Sequence, residues 1–245
     1  MKPSAAPAAP ALVLAVAVLS ASAACGTAGV KLDGPLGRED SVVYPVTGAT
    51  PRTWGAPLAI GPWRTTWIDD GTTRGWSFEV LGLGGKAARK KPFGLRLEGP
   101  AGAIEVECLQ QEMQVLAPFG VTLDLDRLNG RPVLACGLRP QGSRPGDWAN
   151  AWTLVLRATD GLVTSYEGEL RNARGVSFAV RSSHALTGSK VPTGMPVAYH
   201  FDRGVTPAAA VEVLNEGRVV LARGEREAVA LAGASAALLL FEAEP

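Results

Sequence analysis

The stretch that decides the fold is Glu225–Phe241, EREAVALAGASAALLLF. From Ala228 to Phe241 it is apolar on every side, interrupted only by Ser235, so a helix formed here has no polar face to turn toward water. Glu225 and Glu227 are expected in its first turn, where the helix dipole favours carboxylates. At about 14 residues the run is too short to span a hydrocarbon core of roughly 30 Å, and it has the length of a buried core helix. The rest of the chain has to wrap it.

What could wrap it reads as short strands. The final pair is Ala210 to Leu214 and Arg218 to Ala222 around Asn215-Glu216-Gly217, preceded by Val197 to Phe201 with a turn at Asp202-Arg203-Gly204. Val176, Phe178 and Val180 form another strand. Trp152, Leu154 and Leu156 alternate with polar residues, and Asp160-Gly161 turns the chain into Leu162 to Leu170. Ile104, Val106 and Cys108 share one face, with Glu105 and Glu107 opposite. Val121, Leu123 and Leu125 alternate in the same way, and Asn129-Gly130 is expected to return them as a hairpin into Val133 to Leu138, which carries Cys136. Further upstream, Trp63 and Trp67 are expected on one face of a strand that hairpins through Asp69-Asp70-Gly71 into Trp76 to Val80. Leu81 to Lys91 reads as a long connection, and Val42-Val43-Tyr44 as the first strand.

On the order of a dozen strands and one all-apolar helix predict a mainly β domain. The expected architecture is an antiparallel, closed or nearly closed barrel of about twelve strands around the hydrophobic C-terminal helix. A helix of roughly 25 Å matches the axis of a barrel with six- to eight-residue strands. This pattern resembles the tubby C-terminal-like fold shared with phospholipid scramblases and plant LURP-one-related proteins. In that family about twelve strands close around a hydrophobic C-terminal helix, the place that Ala228 to Phe241 would take here. The resemblance covers Ser41 to Phe241 and implies a fold, not an activity, because no residue of the family's phosphoinositide site can be matched.

The chain has 245 residues and a formal net charge of +1, which argues against a broad basic field for nucleic acid. Lys2, the apolar run Ala11 to Leu19 and the small residues Ser20 to Ala24 have the layout of an export signal, expected over residues 1–24. Ala21-Ser22-Ala23 fits ordinary secretory cleavage. Ala23-Ala24-Cys25-Gly26 resembles a bacterial lipobox, with Ser22 where Leu is usual, and the resemblance implies a lipidated Cys25. Lipidation also resolves the cysteine count: of three cysteines it leaves Cys108 and Cys136 to pair in an oxidising compartment. Residues 25–40 are then a tether and 41–245 a single domain, with the helix at 225–241. With Gly26 in place of the Asp that retains many such lipoproteins in the inner membrane, the lipobox resemblance implies the outer membrane, facing the periplasm or the surface.

Motifs for chemistry are sparse. Asp124-x-Asp126-x-x-Asn129-Gly130 misses a calcium loop by one residue of spacing and by its bidentate Glu. His184 and His200 have no metal-ligand spacing, and Ser182-Ser183-His184 is sequence adjacency without a G-x-S-x-G elbow. Gly82-x-Gly84-Gly85-Lys86 lacks the parts of a phosphate loop. No catalytic residue, metal or cofactor is expected. Lys86, Arg89, Lys90 and Lys91 form a candidate patch for anionic lipid or envelope glycan. Trp63, Trp67 and Trp76 form a candidate aromatic patch beside Asp69, Asp70 and Glu79. The functional expectation is an exported envelope lipoprotein acting as a non-catalytic binding or structural module. The alternatives are a periplasmic lipid or lipopeptide carrier and a glycan-active enzyme.

Overall fold

The computed structural model describes residues 29–32, 36, 40–49, 56–69, 71, 74–79, 85–116, 122–124, 132–141, 150–159 and 163–243, with the backbone alone at 74–79, 85–89, 112–116 and 122–124. The strands are β1 (Ser41–Thr47), β2 (Ala59–Ile60), β3 (Trp63–Asp69), β4 (Arg74–Glu79), β5 (Gly85–Gly99), β6 (Gly102–Leu116) and β7 (Thr122–Asp124). They continue as β8 (Pro132–Pro140), β9 (Trp152–Thr159), β10 (Ser165–Asn172), β11 (Ser177–Ser183), β12 (Ala198–Arg203), β13 (Thr206–Glu212) and β14 (Arg218–Ala222). The helix α1 follows at Ala228–Glu242.

Pairing runs β5-β3-β2-β1-β14-β13-β12-β11-β10-β9-β8-β6, and β6 pairs back with β5, closing a 12-strand antiparallel barrel. Closure removes every free edge from that ring. Inward residues alternate along each strand as expected: Trp152, Leu154, Leu156 and Ala158 of β9 are buried, as are Leu134, Cys136 and Leu138 of β8. Cys108 and Cys136 stand directly opposite each other on β6 and β8, both inward, with their sulfurs bonded at 2.08 Å. The outer face is polar. Arg96, Glu105 and Arg139 form a cross-strand ladder, Arg96 Nη1 3.6 Å from Glu105 Oε1 and Arg139 Nη2 3.5 Å from Glu105 Oε2. Exposed pairs of this kind add little stability but keep the barrel wall wet.

The helix runs down the interior, and every residue from Ala230 to Phe241 is buried. It begins three residues later than the sequence indicates: Glu225 lies before it, held by Arg203 Nη2 at 2.8 Å, and accepts the Glu227 amide at 3.1 Å. Small residues let the barrel wall approach closely. A Cβ at Gly233 would stand 3.0 Å from Ile104 Cγ2 and 3.4 Å from Leu138 Cδ2. Ser235 Oγ is enclosed among these apolar groups with no hydrogen-bond partner.

Several expectations about the first half of the chain are corrected. β3 and β4 do not form a hairpin: both pair with β5, β3 through Gly94–Glu98 and β4 through Gly85–Lys90, so they follow each other along one edge. The stretch Gly85–Lys91, expected within a connection, is the first half of the long strand β5. Pro92 interrupts nothing, because it pairs only with Leu109 of β6 at the gap between β3 and β4, where no N–H is needed. β7 and β8 likewise follow one another along β6 instead of pairing, and Asn129-Gly130 lies outside the described residues.

Trp63 and Trp67 fall on opposite faces. A bulge between Thr65 and Trp67 inserts one residue, so the alternation changes phase, with Trp63 4% exposed and Trp67 50% exposed. Gly94 makes room for the Trp67 indole, since a Cβ there would stand 2.9 Å from Cη2.

Part of the stretch read as a tether lies on the barrel. Val30 and Leu36 are buried, with Leu32 partly so, against Ala198, Ala210 and Val220 on the outer face of β12 to β14. This strap starts beside the β11–β12 connection, where Val30 bridges Leu186 and the Thr187 amide donates to the Gly29 carbonyl at 2.8 Å. It ends at the opposite rim, where the Arg223 amide donates to the Asp40 carbonyl at 2.8 Å.

Candidate functional site at the lower end of the barrel

The barrel has two ends. The upper end carries the β12–β13 turn and the start of α1. The lower end carries the β11–β12 connection at 184–197, the C-terminus of α1, the start of the strap and the projecting halves of β5 and β6. Among the described residues, two buried side-chain networks and the exposed Val191 and Met195 lie at the lower end, while the clefts lie at the upper end.

At its centre, the Tyr199 hydroxyl donates to Glu242 Oε1 on the last turn of α1. Tyr199 is fully buried, stacked 6.3 Å from Tyr166, whose ring also meets Phe241 edge-on at 5.5 Å. Burial pushes the Tyr199 phenol well above its ordinary range, and the adjacent Glu242 carboxylate adds to the shift. Burial also raises the Glu242 carboxyl, while the hydrogen bond from Tyr199 opposes that rise. These four side chains close the barrel around the helix end, where the dipole gives a carboxylate no help.

Beside this plug, His184 Nε2 lies 3.0 Å from Ser165 Oγ, and His184 Nδ1 lies 2.9 Å from the Thr193 carbonyl oxygen. A carbonyl can only accept, so Nδ1 carries the proton and Nε2 of the neutral ring accepts from the serine. A serine, a base and an orienting acceptor are thus aligned. The amide following the serine, a natural oxyanion donor, is taken up: Tyr166 N–H donates to Ser182 Oγ at 2.8 Å. The network instead pins the 184–197 connection. Thr193 N–H donates to the His184 carbonyl at 3.0 Å, the Thr193 hydroxyl donates to the Met195 carbonyl at 2.7 Å, and the Val191 amide donates to Ser189 Oγ at 3.1 Å. With its polar groups so engaged, the loop presents Val191 and Met195 to solvent, 74% and 66% exposed.

Of the residues singled out from sequence, Lys90 is exposed at the lower end of β5 and Lys91 is half-buried beside it; Lys86 and Arg89 follow on the same strand, where only the backbone is described. Cys25 and Asp70 lie outside the described residues, as do the side chains of Trp76 and Glu79. Asp69 is exposed, and its Oδ1 accepts the Gly71 amide at 2.9 Å. With Trp63 inside and Trp67 outside, those two indoles share no surface. His200 is buried at 6% exposure on the outer face of β12. Among the described residues no group of three or more potential ligands could hold a metal, and no helix is long and apolar enough to cross a membrane. At the upper end, a cleft of about 480 Å³ lies among Pro140, Asn150, Trp152, Arg174 and Glu227.

Sequence reasoning missed both the serine–histidine pair and the tyrosine–glutamate plug. The first becomes visible only once the β10–β11 register is fixed by Asn172, whose Oδ1 accepts the amides of Arg174 and Val176 at 3.0 Å each and so sets the turn. The second joins residues 43 apart in sequence and has no local signal.

No protein-family profile, curated protein or solved structure matches this chain. None of these comparisons supports the expected resemblance to the tubby-type fold.

Proposed function

We propose that this protein is a lipid-anchored, non-catalytic module of a bacterial cell envelope that binds or braces its partner with the outside and ends of the barrel. The observation that carries this reading is the filled interior: Ala230 to Phe241 occupy the space in which a barrel of this kind would hold a ligand. A carrier of acyl chains would need α1 to withdraw. Attachment through Cys25 supplies the membrane link that α1, enclosed in the barrel, does not. The test is metabolic labelling with radioactive palmitate. The wild-type chain takes up label and fractionates with membranes, and Cys25→Ala loses both; labelling that survives Cys25→Ala ends the anchored reading.

The Ser165–His184–Thr193 alignment favours a second reading, acyl transfer. Ser165 Oγ would attack an ester carbonyl and pass its proton through His184 Nε2 to the leaving alkoxide, and water would then release the acyl group. The engagement of the Tyr166 amide by Ser182 weighs against it. A fluorophosphonate probe separates the two readings: the non-catalytic one predicts no adduct on Ser165, and a stoichiometric adduct lost in His184→Ala establishes the other.

A further inference from the structure

We propose that the 184–197 loop at the lower end of the barrel rests on the bilayer, with Val191 and Met195 in the boundary between headgroups and acyl chains. This rests on the anchored reading of Cys25.

The first argument is reach. Four residue steps separate Cys25 from Gly29, and an extended chain covers at most about 3.3–3.6 Å per residue, so the anchor cannot stand more than roughly 14 Å from Gly29. Gly29 is tied to the base of the 184–197 loop by the Thr187 amide and by the Val30–Leu186 bridge. An anchored molecule therefore holds this loop next to the surface, whichever way the rest of the barrel leans.

The second argument is the chemistry of what is held there. A single exposed apolar residue needs no explanation, but Val191 and Met195 share one loop in which Ser189, Thr193 and His184 engage neighbouring backbone groups. Lys190, immediately before Val191, is exposed as well. Apolar tips beside a cation match an interface with anionic headgroups outside and acyl chains within. At the opposite end Val205 is 99% exposed near Arg203, Arg223 and Arg226, so the reach of the anchor, and not composition, separates the two ends.

Two apolar side chains bind a bilayer weakly without an anchor, so their effect in the anchored protein is to fix orientation. The test uses the full lipidated chain, with Cys108–Cys136 intact, in vesicles of phosphatidylethanolamine and phosphatidylglycerol containing brominated lipid. An environment-sensitive fluorophore is placed at Lys190→Cys or, in a separate preparation, at Val205→Cys, and the mass of the N-terminal peptide reports the anchor independently. The expected result is quenching at position 190 at least about twofold above that at 205, falling to the 205 level when Val191→Ser and Met195→Ser are added. Equal quenching at the two ends, or stronger quenching at 205, overturns the proposal. A lipidated peptide with an unquenched 190 probe leaves the anchored reading standing and removes this one; quenching without lipidation does the reverse.

Discussion

Replacing Gly233 by leucine asks α1 to carry an isobutyl group where the barrel wall already touches. The first added carbon would stand 3.0 Å from Ile104 Cγ2 and 3.4 Å from Ile104 Cδ1 and Leu138 Cδ2, and both partners are fully buried. Overpacking of this kind costs about 1–3 kcal/mol, set against about 0.8–1.0 kcal/mol gained by removing a glycine from a helix interior. The net loss is therefore about 0–2 kcal/mol, or a fall in Tm of up to roughly 8 °C for a domain of this size. Ile104→Ala alone opens a cavity and costs about 2–5 kcal/mol. In the double variant the new leucine enters that cavity, so the two losses should sum to less than their parts, with a favourable coupling of about 1–2 kcal/mol. Urea unfolding followed by far-UV circular dichroism measures all four proteins of the cycle. Additivity within about 0.5 kcal/mol would mean that Gly233 does not face Ile104 and that α1 sits in the barrel with another rotation or depth, or not at all.

The disulfide closes a separation of 28 residues, and Cys108→Ala with Cys136→Ala should lower stability by about 3–4 kcal/mol; intact mass under non-reducing alkylation checks the bond, and two alkylated thiols in the wild-type chain contradict it. Ser235→Ala removes an enclosed hydroxyl without a partner and adds a better helix former, so it should raise stability by about 1 kcal/mol in chemical denaturation; a loss would show that the hydroxyl has a partner. The raised pKa of Glu242 means that the native protein holds this proton more tightly than the unfolded chain does. Its contribution is complete below the ordinary value of 4.5 and is lost as pH rises through the raised native pKa. Urea midpoints taken from acid to neutral pH should therefore fall less steeply for Glu242→Gln than for the wild type, and parallel profiles would refute the burial of that carboxyl.

The later strands and the helix were legible because each carries its own signal. In β9 the inward Trp152, Leu154 and Leu156 alternate with outward residues, and Asn215 and Gly217, at φ 58° and 81°, take the left-handed conformations the β13–β14 turn requires. The helix was legible because an all-apolar run has only one place to go. What could not be read was pairing that skips. Gly85–Lys91 has no alternation, and strands on both sides make it part of β5. The bulge that turns Trp67 outward leaves no mark in a run of Trp, Arg and Thr, because any of these residues suits either face. The strap was missed because Val30, Leu32 and Leu36 have no period, and only the alanines on β12 and β13 show that a groove awaits them. The β5 lysines could be singled out from sequence, but that they lie at the same end of the barrel as the 184–197 loop and the start of the strap could not, since it depends on which way each strand runs.

The central claim is that α1 fills a closed barrel, and amide hydrogen exchange tests it most directly. A helix enclosed by a ring of hydrogen-bonded strands has no local route to solvent, so the amides of Leu231 to Phe241 should exchange only through global unfolding, with free energies within about 1 kcal/mol of the value from urea. Exchange of those amides several kcal/mol below the global value, with little dependence on denaturant, would place the helix outside the ring and contradict the account.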